Sequence, residues 1–156
     1  MKRFFIQLLK VIILLTGLAA LFAMIRLPQT EGRAKNLDLF QIYSDPFIIY
    51  GYISSIPFFM ALYKGFRLLG FVGENKLYTP EALQALLQIK YCAIACGVLI
   101  AGAGLFILSA HHKEDDPAGF FALCILMLFI TTGVIIAAAK IGKDVRIKIT
   151  HLNKQA

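Results

Sequence analysis

The chain has 156 residues, of which 59% are hydrophobic, and its mean hydropathy is +0.75. Soluble domains are about 45–50% apolar, so this composition excludes an ordinary soluble domain. The length also leaves no room for a separate soluble catalytic domain beside several membrane spans. The formal net charge is +7, which is typical of proteins that bind nucleic acid or a membrane surface.

Four apolar segments are long enough to cross a bilayer, which takes about 20 residues. They cover residues 4–26, 46–70, 90–109 and 119–141. Backbone polar groups cannot remain unpaired in hydrocarbon, and the alternation typical of barrel strands is absent, so each segment is predicted to be a helix. We therefore expect an all-α integral membrane protein with four transmembrane helices in a single membrane domain, residues 1–156.

The first segment also has features of a secretory signal, because Lys2 and Arg3 precede an apolar run that contains small residues. However, Lys10 interrupts the early part of the run, and the run is long for a signal core. We therefore expect the segment to be retained as a membrane span.

The positive charges are concentrated on one predicted side of the membrane. Both termini are predicted to be cytoplasmic, since Lys and Arg accumulate in cytoplasmic segments. The positive charge is therefore attributed to the enrichment of Lys and Arg in cytoplasmic segments and to contact with anionic lipid at the inner face. No nucleic-acid partner is expected. Twelve of the sixteen Lys and Arg residues fall on this side: Lys2, Arg3, Lys10, Lys64, Arg67, Lys76, Lys90, Lys140, Lys143, Arg146, Lys148 and Lys154.

A short amphipathic cytoplasmic extension is predicted to precede the third span. Thr79 is suited to cap a helix, Pro80 to occupy its first position, and Glu81 to interact favourably with the helix dipole. The extension is predicted to place its apolar residues on one face and its polar residues opposite: Leu83, Leu86, Leu87 and Ile94, against Glu81, Gln84 and Gln88. The apolar face could pack on neighbouring helix ends or bind a cytoplasmic protein, and the candidate docking residues are Asn75, Tyr78, Thr79, Leu83 and Leu87.

The segment from residue 56 to residue 95 resembles a bacterial family of small membrane proteins, domain-of-unknown-function 2975. The resemblance lies in an "LL" segment, an "x-N-x-x-[FY]-[TS]" loop and an "L-x-x-I-K-Y" run, here Leu68-Leu69, Asn75 to Thr79, and Leu86 to Tyr91. It implies a four-span protein in the bacterial inner membrane and no known activity. Genes of this family often neighbour a small helix-turn-helix regulator. The family often ends in an acidic tail, whereas this chain ends in the basic "KIGKDVRIKITHLNKQA".

Small residues recur at four-residue spacing in the third and fourth spans, where they allow membrane helices to approach closely. Packing within the four-helix bundle and association into a homo-oligomer both fit this pattern. The candidate helix-packing residues are Ala93, Gly97, Ala101, Gly133 and Ala137.

No catalytic, cofactor-binding or metal-binding residues are predicted. Cys92 and Cys96 lie four residues apart, but no His or carboxylate accompanies them in the span, so we expect them to act as small apolar residues. The loop from His111 to Asp116 contains metal-ligand residue types, and a simple polar turn and a weak outer cation site both fit it.

The leading functional hypothesis is a non-enzymatic accessory or sensory membrane protein that contacts a cytoplasmic partner. The alternatives are a small transporter or channel subunit, and a membrane immunity or stress-protection protein. The central parts of the spans contain no ionisable residue, which weakens the transporter hypothesis. The basic tail, residues 142–156, is expected to contact anionic lipid.

Overall fold

The computed structural model describes residues 2–30, 46–109 and 117–155. They form four α-helices: α1, Lys2–Thr30; α2, Pro46–Gly73; α3, Pro80–Ser109; and α4, Pro117–Gln155. No strand occurs in these three ranges. All four helices are long and apolar enough to cross a membrane, which confirms the predicted all-α architecture with four spans.

Helices α1 and α2 are antiparallel neighbours. At one end, a Cβ on Gly73 would lie 3.9 Å from Cγ2 of Ile6. At the other, the Tyr52 hydroxyl donates a hydrogen bond to the carbonyl oxygen of Met24 at 3.1 Å. Because this bond satisfies a polar group inside an apolar span, it fixes the axial position of α1 against α2.

Helices α2 and α3 are also antiparallel and are joined by a hydrogen bond within their apolar parts. The Tyr50 hydroxyl donates to the carbonyl oxygen of Leu99 at 2.7 Å. A Cβ on Gly102 would lie only 2.9 Å from this hydroxyl, which is closer than real Cβ contacts. The absence of a side chain at Gly102 therefore allows the tyrosine to approach the α3 backbone.

Helices α3 and α4 pack along most of their length in an antiparallel register. Near one end, the Lys148 ammonium donates a hydrogen bond to the Tyr78 hydroxyl just before α3. Halfway along, a Cβ on Gly97 would lie 3.8 Å from the Thr131 hydroxyl. Extrapolating this register places Val145 beside the first two turns of α3.

The contact between α3 and α4 follows alternating steps of four and three residues, the spacing of a coiled-coil seam. Every residue of the series is buried or half-buried. We call this series the α3–α4 seam: Ala82, Leu86, Ile89, Ala93, Cys96, Ile100 and Ala103 on α3, and Cys124, Leu128, Thr131, Ile135, Ala138, Gly142, Val145 and Ile149 on α4.

The first turns of α1 and α3 and the last turns of α2 and α4 lie at the same end of the bundle, as the antiparallel contacts require. We call it the basic end. Beyond it, each helix contains an uncharged stretch, at residues 11–25, 46–63, 91–109 and 117–139. At 1.5 Å per residue these stretches are about 22 to 34 Å long, close to the thickness of a hydrocarbon core.

The fourth helix continues beyond its predicted span. The span is predicted to end at residue 141, before the basic tail of residues 142–156, and α4 continues without a break through this tail to Gln155. The seam continues into this part of α4, because Gly142 and Val145 are buried, as Ala138 is. Residues 140–155 therefore extend the helix by about 24 Å beyond its uncharged stretch.

The Tyr50–Gly102 contact predicts that Gly102→Ala destabilises the bundle by about 1 kcal/mol, the contribution of one hydrogen bond. In a Tyr50→Phe background the same substitution should be neutral or stabilising, because alanine is the better helix former. Thermal unfolding of the detergent-solubilised chain measures both. Gly133→Ala is the control, since a Cβ there meets nothing within 4 Å. Equal effects in the two backgrounds would contradict the contact.

Candidate functional site

The turn between α2 and α3 is fixed by backbone hydrogen bonds that end α2. The Lys76 amide donates to the carbonyl oxygen of Phe71 at 2.8 Å, and the Asn75 amide donates to that of Val72 at 3.3 Å. These two bonds form a Schellman motif, which needs a left-handed residue at its penultimate position. Asn75 supplies it with φ of 57°, and asparagine tolerates this conformation better than most residues.

Helix α3 begins immediately after this turn, with Thr79 as its N-cap. The Thr79 hydroxyl accepts a hydrogen bond from the Ala82 amide at 3.4 Å and donates one to the carbonyl oxygen of Lys76 at 2.9 Å. The expected cap is thus confirmed. The turn also holds an exposed ion pair, in which Lys76 Nζ lies 2.9 Å from Glu74 Oε2. Hydrogen bonding to Lys76 lowers the pKa of Glu74 below its ordinary value.

Tyr78 connects the turn to the extension of α4. The Lys148 Nζ lies 3.0 Å from the Tyr78 hydroxyl and 4.3 Å from the centroid of its ring. The ammonium therefore makes both a hydrogen bond and a cation–π contact with one side chain. This contact holds α4 against the start of α3 at the outermost part of the seam.

We call residues 80–90 of α3 and 140–155 of α4 the basal helix pair. Its core is the most completely buried part of the described chain, since Leu86 and Val145 are 2% and 1% exposed. The pair lies beyond the uncharged stretches of both helices, so burial of these two apolar side chains stabilises it through the hydrophobic effect. The predicted amphipathic extension of α3 is thus one half of a packed helix pair.

The apolar face of the α3 extension differs from the predicted one. Leu83, Leu87 and Ile94 are predicted to share one packing face with Leu86, but Leu87 and Ile94 are 42% and 39% exposed and Leu83 is half-buried. The face that packs contains the smaller residue Ala82 instead. Large leucines biased the sequence-based assignment, whereas close helix packing selects alanine.

The small residues of the spans separate into two groups. Ala93 is buried and Gly97 lies against Thr131, so both pack within the chain. Ala101, Gly133 and Ala137 are exposed, and no side chain approaches the Gly133 position within 4 Å. Intrachain packing therefore uses only the first group, and a role of the second in homo-oligomers stays a prediction.

The cysteines contribute to packing. Cys96 and Cys124 are buried, Cys92 is half-buried, and all three are free thiols. Within residues 2–30, 46–109 and 117–155, no three His, Cys, Asp or Glu side chains lie close enough to hold a metal ion. The His111–Asp116 loop, a candidate cation site in the sequence, lies outside the described residues.

A polar cleft opens between α2 and α3 at the basic end. It has a volume of about 150 Å³ and is lined by residues from both helices: Lys64, Arg67 and Phe71 on α2, and Glu81, Gln84, Ala85 and Gln88 on α3. The Arg67 guanidinium carbon lies 5.9 Å from the centroid of the Phe71 ring. Ala85 is buried and forms the floor. The sequence predicts that Glu81, Gln84 and Gln88 share a polar face, but it does not predict that Lys64 and Arg67 lie beside that face.

The comparisons with known proteins give the family. The sequence profile described as "Protein of unknown function (DUF2975)" matches residues 29–143, nearly three quarters of the chain. The chain belongs to the DUF2975 family. A curated relative, the "Uncharacterized membrane protein YoaS" of Bacillus subtilis (strain 168), is 33% identical over 95 residues, or 61% of this chain. The chain spans 59% of the length of that relative. No solved structure matches.

The loop motif that carries the resemblance to this family has a structural role in this chain. Its asparagine and threonine, Asn75 and Thr79, end one helix and start the next. Its aromatic residue, Tyr78, binds Lys148 of the α4 extension. The residues that carry the resemblance therefore build the turn on which the basal helix pair rests.

The turn geometry predicts opposite effects for two substitutions of Asn75. Asn75→Gly should leave stability unchanged or raise it, because glycine adopts positive φ freely. Asn75→Ala should cost about 1 kcal/mol, because a Cβ without a local polar group disfavours that conformation. Thermal unfolding in detergent measures both. If the glycine variant lost as much stability as the alanine variant, the side chain and not the backbone would be the important feature.

The buried core of the basal helix pair predicts a contrast between two adjacent leucines. Leu86→Ala should destabilise the pair by about 2–5 kcal/mol, whereas Leu87→Ala should cost much less, since Leu87 is partly exposed. Local opening should speed trypsin cleavage after Lys143 or Arg146 in membranes. Equal cleavage rates in the two variants would contradict packing of α4 on α3 at this level.

Proposed function

We propose that this DUF2975 protein is a non-enzymatic membrane protein that presents the basal helix pair to a cytoplasmic protein as an accessory or regulatory partner. It would lie in the bacterial plasma membrane with both termini cytoplasmic. The observation that carries the proposal is a packed helix pair, outside the uncharged spans, with large apolar side chains on its surface.

The exposed apolar residues of the α4 extension lie too far from the hydrocarbon to be covered by lipid tails. Ile147 and Leu152 are 48% and 56% exposed. They lie about 11 and 18 Å along the helix beyond Lys140, where the uncharged stretch of α4 ends. Head groups and interface occupy only about 5–8 Å on each side of the hydrocarbon core. Exposed apolar residues on a charged surface are typical of protein-binding sites.

The surface charge of the pair gives the chemistry of the partner. Lys143, Arg146 and Lys154 are exposed on the same extension, while Asp144 is its one acidic residue. A partner surface with apolar anchors and acidic residues around them would complement this arrangement. Lipid contact by the tail, expected from the sequence, is then restricted to the residues nearest the membrane, such as Lys140.

Orientation of the bundle is supported by the distribution of Lys and Arg. Among the described helices, the basic end includes Lys10, Arg67, Lys90 and Arg146, while α1 carries Arg26 at the other end. Because Lys and Arg are enriched in cytoplasmic segments, this distribution supports a cytoplasmic position for the basic end.

Site-specific photo-crosslinking in living cells tests the proposal. A benzophenone amino acid at Ile147 or Leu152 should form an adduct with one cytoplasmic protein. The same group at Phe129, 76% exposed within the uncharged stretch of α4, should react with lipid only. Leu83→Glu combined with Leu87→Glu should reduce the protein adduct about tenfold or more, because apolar anchors contribute about 2 kcal/mol to interfaces.

Two results would contradict the proposal. The first is an adduct at Ile147 and Leu152 that consists only of lipid or of a second copy of the chain. The second is an undiminished adduct in the Leu83→Glu, Leu87→Glu variant, provided that the variant is inserted in the membrane at the normal level. The former would remove the protein partner, and the latter would remove the α3 face from its binding surface.

A further inference from the structure

We propose that the cleft between α2 and α3 binds the phosphate of a phospholipid headgroup that also carries a hydrogen-bond donor, such as an amine or a hydroxyl group. The site consists of two cations, one carboxylate and two amides from the facing helices, with Ala85 as its floor. It lies on the α2 side of α3, whereas the proposed protein partner contacts the outward face of α3 and the α4 extension.

The two cations of the cleft have no anionic partner in the described chain. Lys64 and Arg67 make only aromatic contacts, with Tyr63 at 5.9 Å and Phe71 at 5.9 Å. Glu81 lines the same cleft, but the ion pair found among the described residues at this end joins Glu74 to Lys76 instead. The guanidinium and the ammonium are therefore available to an external anion.

The geometry of the cations suits phosphate. Arginine binds phosphate oxygens with two parallel N–H donors, and the guanidinium carbon of Arg67 lies 5.9 Å from the centroid of the Phe71 ring. Lys64 lies one helical turn away, three residues earlier on α2, and adds a second positive charge. Gln84 and Gln88, one turn apart on α3, offer amide N–H donors from the other wall.

The depth of the cleft favours a lipid over a soluble anion. Lys64 is the first charged residue after the uncharged stretch of α2, and Gln88 lies three residues before Tyr91, where the uncharged stretch of α3 begins. The end of the cleft formed by Lys64 and Gln88 is therefore at the boundary of the hydrocarbon, which is the level of lipid phosphates. Glu81 lies about two helical turns farther from the uncharged stretch, where it would meet the part of the headgroup beyond the phosphate. A lipid bound there would place its tails along α2 and α3.

The carboxylate of Glu81 gives the site its selectivity. Beside a simple phosphate, Glu81 would add repulsion to the anion. Beside a headgroup with an amine or a hydroxyl group, it would accept a hydrogen bond from that donor while the cations hold the phosphate. Phosphatidylethanolamine and phosphatidylglycerol carry such donors, whereas the quaternary ammonium of phosphatidylcholine has none.

Native mass spectrometry of the full-length protein in detergent, titrated with each of these three lipids, tests the site. Phosphatidylethanolamine or phosphatidylglycerol should bind more tightly than phosphatidylcholine. Lys64→Gln with Arg67→Gln should weaken binding about tenfold or more, the effect of losing a charge-assisted hydrogen bond. Lys143→Gln with Lys154→Gln removes the same charge from exposed positions outside the cleft and should change the affinity less than about twofold.

Two further variants separate a built site from general charge attraction. Arg67→Lys keeps the charge but loses the paired donors, so binding should weaken severalfold. Glu81→Gln should reduce the preference over phosphatidylcholine. Equal weakening by the cleft and control double variants, equal affinity for the three lipids, or inorganic phosphate that competes at the same concentration as the lipid would each overturn the proposal.

Discussion

Two narrow helix surfaces, one on α3 and one on α4, meet in a seam that runs from the uncharged stretches of both helices into the basic end. Inside the uncharged stretches its fully buried residues are small, such as Ala93, Cys96 and Cys124, because close approach and dispersion contacts join helices in lipid. At the basic end its buried residues include Leu86 and Val145, where the hydrophobic effect acts. The same four-three spacing is thus stabilised by dispersion contacts in the uncharged stretches and by the hydrophobic effect at the basic end.

The other features of the basic end depend on this seam. It keeps residues 140–155 helical and beside α3, which brings Lys148 to Tyr78 and leaves Ile147 exposed. It also settles which faces of α3 remain for other contacts. With one face packed on α4, the polar face containing Gln84 and Gln88 meets α2 and forms the cleft, and the leucine-bearing face points outward.

The helices were predictable from the sequence, and their contacts were less so. Uncharged runs of hydrocarbon length, and the Thr79-Pro80 start, depend on local rules that hold wherever the helix packs. The seam is hard to recognise in the sequence, because several of its positions hold small residues such as Ala82 and Gly142, which contribute little to the hydrophobic periodicity. The four-three spacing from Ala138 to Ile149 was the available signal. The cleft could not be found, because its two walls are brought together only by the antiparallel register of α2 and α3.

The unbroken course of α4 has a mechanical consequence. A straight helix transmits rotation and translation along its axis, whereas a flexible tail would absorb both. The 39 residues of α4 form one continuous helix that ends at the basic end. A change in tilt that accompanies bilayer thinning or stretching would therefore displace Leu152 by an amount that grows with its distance from the membrane.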